Sequence, residues 1–186
     1  MTTSPVILLL SGSTRSGSSN EAVLRTAHEV APAQVRTVRY EGLAALPHFN
    51  PDDDADPLPA PVAELRAAIG AAAAVLICTP EYAGTLPGSF KNLLDWTIGG
   101  TETGGKPMAW INSAAPGRGH GAEATLRAVL EYAGADIVDT ACAKVPVHRE
   151  MIGDDGSIAD QQVRAQLSEV VRTLVDSFRS AAPTDR

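Results

Sequence analysis

Gly12–Asn20, reading GSTRSGSSN, follows the apolar run Val6-Ile7-Leu8-Leu9-Leu10 and precedes a helical pattern, and its reading decides the fold. It is a strand-to-helix turn made almost entirely of hydrogen-bond donors: the hydroxyls of Ser13, Thr14, Ser16, Ser18 and Ser19, two glycines, Arg15 and Asn20, with no acid among them. Glycine lets backbone N–H groups turn inward, and Asn suits the opening of a helix. A helix N-terminus carries unpaired N–H groups and about half a positive charge, so such a loop matches a phosphate dianion. Ser and Gly are also common in plain polar turns, and the loop alone leaves that reading open. Two other phosphate loops are excluded. The only Gly-Lys pair, Gly105-Lys106, is followed by Pro107, and no G-x-G-x-x-G follows the first apolar run.

Outward from this loop, strands and helices alternate. The unbroken apolar run Val6–Ser11 predicts a strand covered on both faces. A helix is expected from about Asn20 to Ala31, with Ala22, Val23, Ala27 and Val30 in phase and Pro32 as its stop. Gln34–Arg39 alternates as a second strand nearer an edge. The loop from about Tyr40 to Pro59 sets Asp52, Asp53, Asp54 and Asp56 among four prolines; no glycine follows to shape a cation loop, so it reads as a solvated, proline-stiffened surface and no metal is assigned. Then come a helix Pro61–Gly70, a strand Ala73–Thr79, a helix Ser89–Gly99, a strand Pro107–Ser113, a helix Gly121–Tyr132, a fifth strand Asp136–Val145, and a last helix from about Asp160 to Ser180. This alternation implies an α/β fold, a parallel sheet with helices on both faces. Ligands of such sheets sit at the carboxyl ends of strands where the winding reverses, which singles out the loops after strands one, three and four.

The composition narrows the partners. With 186 residues the chain is expected to be a single domain, 1–186. Aromatics are 4 % against 44 % hydrophobic residues, so the core must be aliphatic, and a net charge of −7 argues against nucleic acid or an anionic membrane. Cys78 and Cys142 lie in separate apolar segments and read as reduced core residues. The chain lacks a signal-type start and any apolar run near the roughly 20 residues that span a bilayer, so a soluble, cytoplasmic protein is expected.

The loop after the third strand, Thr79 to Gly88, holds an aromatic and offers the N–H groups of Ala83, Gly84 and Thr85, an edge suited to a planar heterocycle. GSTRSGSSN together with TPEYAGTLPGSFKNLLDW closely resembles the NADPH-dependent FMN reductase family of flavodoxin-like proteins, which includes quinone, chromate and azo-compound reductases. Ser13, Arg15, Ser18 and Asn20 match its phosphate loop; Pro80-Glu81-Tyr82, Pro87-Gly88, Lys91-Asn92 and Asp95-Trp96 match its second pattern, with Phe90 in place of Leu. Ala83 stands where many members have Asn. The resemblance implies a flavodoxin-like three-layer sandwich with a five-stranded parallel sheet in order 2-1-3-4-5. It also implies that Ser13, Arg15, Ser18, Ser19 and Asn20 hold the FMN phosphate, that Pro80, Glu81, Tyr82 and Ala83 border the isoalloxazine, and that Ser113 contacts the ring. Arg118 and His120, in the Gly-rich loop after the fourth strand, read either as turn residues or as cations for a nicotinamide dinucleotide or substrate.

The implied activity is a two-stroke oxidoreductase in which NAD(P)H reduces FMN and a quinone, azo compound, chromate or free flavin then takes the electrons. Flavin chemistry needs little acid or base from the protein, which fits the absence of a Ser-His-Asp or Cys-His set; no side chain is assigned a catalytic role. His28, His48 and His148 are assigned none either. On the helix Ser89–Gly99, Phe90, Leu93, Leu94 and Thr97 or Ile98 form a core stripe, and Trp96 falls off it. A second-face aromatic suggests a partner, and with the family habit it predicts a homodimer or homotetramer. The alternative class is a flavodoxin-type FMN carrier without small-substrate turnover.

Overall fold

Ile7, Leu8, Leu9 and Leu10 are each buried because the strand they form is covered twice. In a computed structural model that describes residues 4–180, β1 (Val6–Ser11) lies inside a parallel sheet between β2 (Arg36–Tyr40) and β3 (Ala74–Cys78). Alternation sends Ile7 and Leu9 to one face and Leu8 and Leu10 to the other, and both faces are apolar cores. The first core is closed by α1 (Ser19–Glu29) and α5 (Gln161–Ser180). The second is closed by α2 (Ala60–Ala71), α3 (Gly88–Ile98) and α4 (His120–Tyr132). Beyond β3 lie β4 (Pro107–Asn112) and β5 (Asp136–Ile137), giving the order β2-β1-β3-β4-β5. This is the expected flavodoxin-like arrangement. Residues 1–3 and 181–186 of the expected single-domain span lie outside the described residues.

Two expectations are corrected. Asp136–Val145 is not one strand: β5 and β6 (Ala143–Lys144) both pair with β4 and are separated by a 3-10 turn, Asp139–Ala141. In the turn the Ala141 N–H donates to the Val138 carbonyl at 2.9 Å and the Cys142 N–H to the Asp139 carbonyl at 3.1 Å, and the Asp139 side chain pairs with Arg127 of α4. Trp96 does not face a partner. It is 0 % exposed, donates Nε1–H to the Pro47 carbonyl at 2.8 Å, and meets Phe49 edge-on at 5.0 Å. The segment that covers it is the long loop before α2, whose Phe49 N–H is also held by Asn92 Oδ1 at 2.7 Å.

The acidic loop is likewise only partly solvated. Asp54 pairs at 2.6 Å with Arg66, whose side chain is 9 % exposed and whose Nε donates to the Trp96 carbonyl at 2.9 Å.

Candidate functional site

The sheet order reverses between β1 and β3, and the loops after β1, β3 and β4 converge there. The convergence is tight because Gly12 follows β1: its N–H donates to the Cys78 carbonyl at 2.9 Å, and a Cβ at Gly12 would overlap the Thr79 hydroxyl. Behind it sits a hub. The buried Asn20 side chain accepts from Cys78 Sγ and from Ser113 Oγ, both at 3.3 Å, joining the start of α1 to the ends of β3 and β4. Burial pushes the Cys78 thiol up to about 12 despite hydrogen bonds from Ser113 that pull it down, so it stays a protonated donor rather than a nucleophile. Burial likewise raises Cys142 to about 11.

Asn20 is therefore not the cap of α1. Ser18 is, accepting from Glu21 N–H at 3.2 Å with its own O–H donor left over, while Glu21 holds the Gly17 N–H at 3.1 Å. The N–H groups of Ser18, Ser19 and Asn20 have no partner among the described residues, and they open the first turn of the helix. That is the anion-binding end that the sequence suggested.

A cavity of about 220 Å³ lies against this end and includes Ser19, Asn20, Pro80, Glu81, Ser113 and Arg118 in its walls. Ser13 and Arg15 line a different cavity on the β2 side of the same loop. Arg15 is exposed, and neither it nor Arg118 has a carboxylate partner among the described residues. Tyr82 is 54 % exposed at the mouth of the loop after β3. There Tyr82 and Thr85 exchange backbone hydrogen bonds at 3.0 and 3.1 Å around Ala83 (φ 51°) and Gly84 (φ 77°). The Thr85 N–H is thus used inside the turn, leaving those of Ala83 and Gly84 as the free edge among the described residues. The left-handed φ of Ala83 explains why Asn is common at such a position, since Asn tolerates it better than Ala. His120 stands apart from the cavity lining, exposed beside Lys144 and Glu123.

Glu81 has a role that sequence reading missed. Its Oε2 accepts from the Gly121 and Ala122 N–H groups at 2.7 and 3.1 Å, capping α4 from forty residues away. Thr85 Oγ1 and Thr125 Oγ1 meet at 2.9 Å beside it, and a Cβ on Gly121 would overlap the Gly84 carbonyl oxygen. The turn that carries Tyr82 is thereby clasped to α4. No local pattern signals such a clasp, because the acid and the helix start are each unremarkable alone. Glu81→Ala is expected to lower stability by about 1.5–3 kcal/mol, the range for hydrogen bonds to a charged group. Glu81→Gln keeps an acceptor and loses only the charge at a helix N-terminus, about 0.3–1 kcal/mol. Urea unfolding, with hydrogen exchange at Gly121 and Ala122, measures both.

Comparison with known proteins adds an independent finding. The family model described as NADPH-dependent FMN reductase matches residues 5–148. An NAD(P)H-dependent FMN reductase of Pseudomonas aeruginosa is 29 % identical over 171 residues, covering 90 % of this chain and 92 % of the relative. A quinone reductase of Pseudomonas putida is 29 % identical over 187 residues, covering 97 % and 96 %. Among solved structures, FerB, a flavoenzyme NAD(P)H:(acceptor) oxidoreductase from Paracoccus denitrificans, superposes with a TM-score of 0.82 at 30 % identity, covering 95 % of this chain and 98 % of that one.

Proposed function

Because the chain belongs to the NADPH-dependent FMN reductase family, we propose that its residues form an FMN site at the β1–β3 switch point and that the protein is an NAD(P)H-dependent oxidoreductase of quinones or similar small acceptors. The observation that carries the site is the open start of α1, where the Ser18, Ser19 and Asn20 N–H groups have no partner among the described residues beside a cavity of about 220 Å³. A phosphate dianion is the ligand this end fits: the helix dipole favours it, the Ser18 hydroxyl has a donor left, and the exposed Arg15 supplies a positive charge from the loop. FMN, when bound, supplies the chemistry, taking hydride from NAD(P)H and returning the electrons to an acceptor.

The chain's own residues bind and orient. Asn20 fixes the spacing of the three loops through Cys78 and Ser113, so the phosphate end and the ring end of the cavity hold a constant separation. Pro80, Glu81, Tyr82 and Ala83 border the ring, with Ala83 and Gly84 N–H offering donors to its carbonyl edge. Glu81 acts through α4, since its carboxylate is already bound by two N–H groups. Tyr82 and Arg118 lie at the open side of the site, where reductant and acceptor enter.

Arg15→Ala is expected to weaken FMN binding about ten- to a hundredfold, the range for removing one charged hydrogen-bonding partner, without changing unfolding in the absence of FMN. Fluorescence titration with FMN measures this. An unchanged affinity would overturn the phosphate assignment. Quinone-dependent oxidation of NADPH by the FMN-loaded protein separates the reductase from a carrier, which turns over almost none.

Self-association as a homodimer or homotetramer stays in the proposal on the family resemblance, without the support that Trp96 was expected to give. Sedimentation of the FMN-loaded protein tests it. No described helix is long and apolar enough to cross a membrane. A cytoplasmic setting belongs to the same proposal, in keeping with two cysteines that are free thiols.

A further inference from the structure

The loop before α1 satisfies several of its own donors. The N–H groups of Ser13 and Arg15 bond to the hydroxyls of Ser11 and Ser13, both at 3.2 Å, and that of Gly17 bonds to Glu21 Oε2 at 3.1 Å. The next three N–H groups, of Ser18, Ser19 and Asn20, have no partner among the described residues and are the ones given to the phosphate above.

That division depends on Glu21. Ser18-Ser19-Asn20-Glu21 has the spacing of a capping box, in which the acid at the third helical position accepts from the N–H of the cap residue itself. Here the cap makes its half of the box, Ser18 Oγ accepting from the Glu21 N–H at 3.2 Å, but the carboxylate reaches one residue further back, to Gly17. Gly17 has a φ of 64°, and a Cβ there would meet nothing within 4 Å, so glycine serves the backbone conformation rather than space. The ordinary box would put the carboxylate on the Ser18 N–H, one of the donors a phosphate needs. The shifted box leaves it open.

The charge of Glu21 is met on its other oxygen. Oε1 faces Arg25 at 3.9 Å and Arg39 at 3.6 Å, while Oε2 serves Gly17. Glu21 lines the cavity on the β2 side and is not among the walls of the cavity against the open end of α1. It therefore acts on the ligand's donors only through the backbone.

We propose that Glu21 is a positioning residue: by holding Gly17 it keeps the Ser18, Ser19 and Asn20 N–H groups free and set for the phosphate. The inference rests on the reading above that this end binds the phosphate of FMN. The sign of the effect separates it from simple charge. An acid near a phosphate weakens binding by repulsion, whereas an acid that sets the donors strengthens it.

Fluorescence titration of the flavin-free protein with FMN and with riboflavin, which lacks the phosphate, tests this. Glu21→Ala is expected to weaken FMN about tenfold, the scale of one hydrogen bond to a charged group, and to leave riboflavin within about twofold. Glu21→Gln keeps an acceptor for the Gly17 N–H and is expected to hold FMN within about threefold of wild type. Gly17→Ala, strained at its left-handed φ, is expected to reproduce the loss with the carboxylate intact and serves if Glu21→Ala folds poorly. Without ligand, hydrogen exchange at Gly17 is expected to quicken in Glu21→Ala and not in Glu21→Gln. FMN binding unchanged or tightened in Glu21→Ala, an equal loss for riboflavin, or failure of glutamine to restore affinity would each overturn the assignment. A protein that takes up no flavin, yet binds inorganic phosphate with the same dependence on Glu21, refutes the FMN reading and supports this one. Binding of neither FMN nor phosphate overturns both.

Discussion

Trp96→Ala is expected to lower stability by about 3–5 kcal/mol, the range for deleting a large aromatic from a core. Trp96 is 0 % exposed, its indole N–H reaches the Pro47 carbonyl at 2.8 Å, and Phe49 packs on it edge-to-face at 5.0 Å. Alanine would leave a cavity and release the loop that covers α3, so the loss should exceed the transfer energy of the ring. Trp96→Phe keeps most of the volume and costs only about 1 kcal/mol for the hydrogen bond, because Pro47 still accepts from Asn92 Nδ2 at 2.8 Å. Urea unfolding measures the pair. A tryptophan whose role was to face a partner subunit would leave the unfolding of the monomer unchanged and shift only the state of assembly.

Arg66→Ala is expected to cost about 3–5 kcal/mol as well, for a different reason: breaking a buried pair leaves the other charge without compensation. Arg66 and Asp54 are 9 % and 12 % exposed at 2.6 Å, and Arg66 also serves the Trp96 carbonyl at the end of α3. Asp54→Ala should be costly alone, yet the double variant should cost much less than the sum, since neither orphaned charge then remains. Additive losses in that cycle would show the pair to be uncoupled. Both predictions concern one region, where the loop before α2 is fastened onto α2 and α3, so their effects on each other are also expected to be non-additive.

That region shows where sequence reading reached its limit. The period of α3 set Trp96 apart from Phe90, Leu93 and Leu94, and this was correct as angular geometry. The long loop that returns over that face supplied the burial, and its Pro47 and Phe49 lie more than forty residues away. The same holds for Asp54, which composition alone grouped with solvated neighbours. The fifth strand was also misread: Asp136–Val145 has strand-like content throughout, and within it the chain leaves β4 for a 3-10 turn whose Asp139 pairs with Arg127 of α4.

Within the site the division is similar. The donor-rich turn after β1, its place at a helix start and the family pattern were all legible, because each depends on residues adjacent in the chain. Which donors stay free was not. Ser18 rather than Asn20 caps α1, Thr85 closes its own turn, and Glu81 is bound to the start of α4.

The sequence by itself determined the doubly covered parallel sheet, since periodicity and strand–helix alternation are properties of local chain geometry that right-handed crossovers convert into one topology. It also determined that a phosphate-suited loop stands at the first strand end. Only the tertiary structure decided which polar atoms are already satisfied, which large side chains are covered, and that two cavities flank one loop. Those depend on atoms brought together across long stretches of chain, and hydrogen bonds and burial are settled by such encounters rather than by residue type.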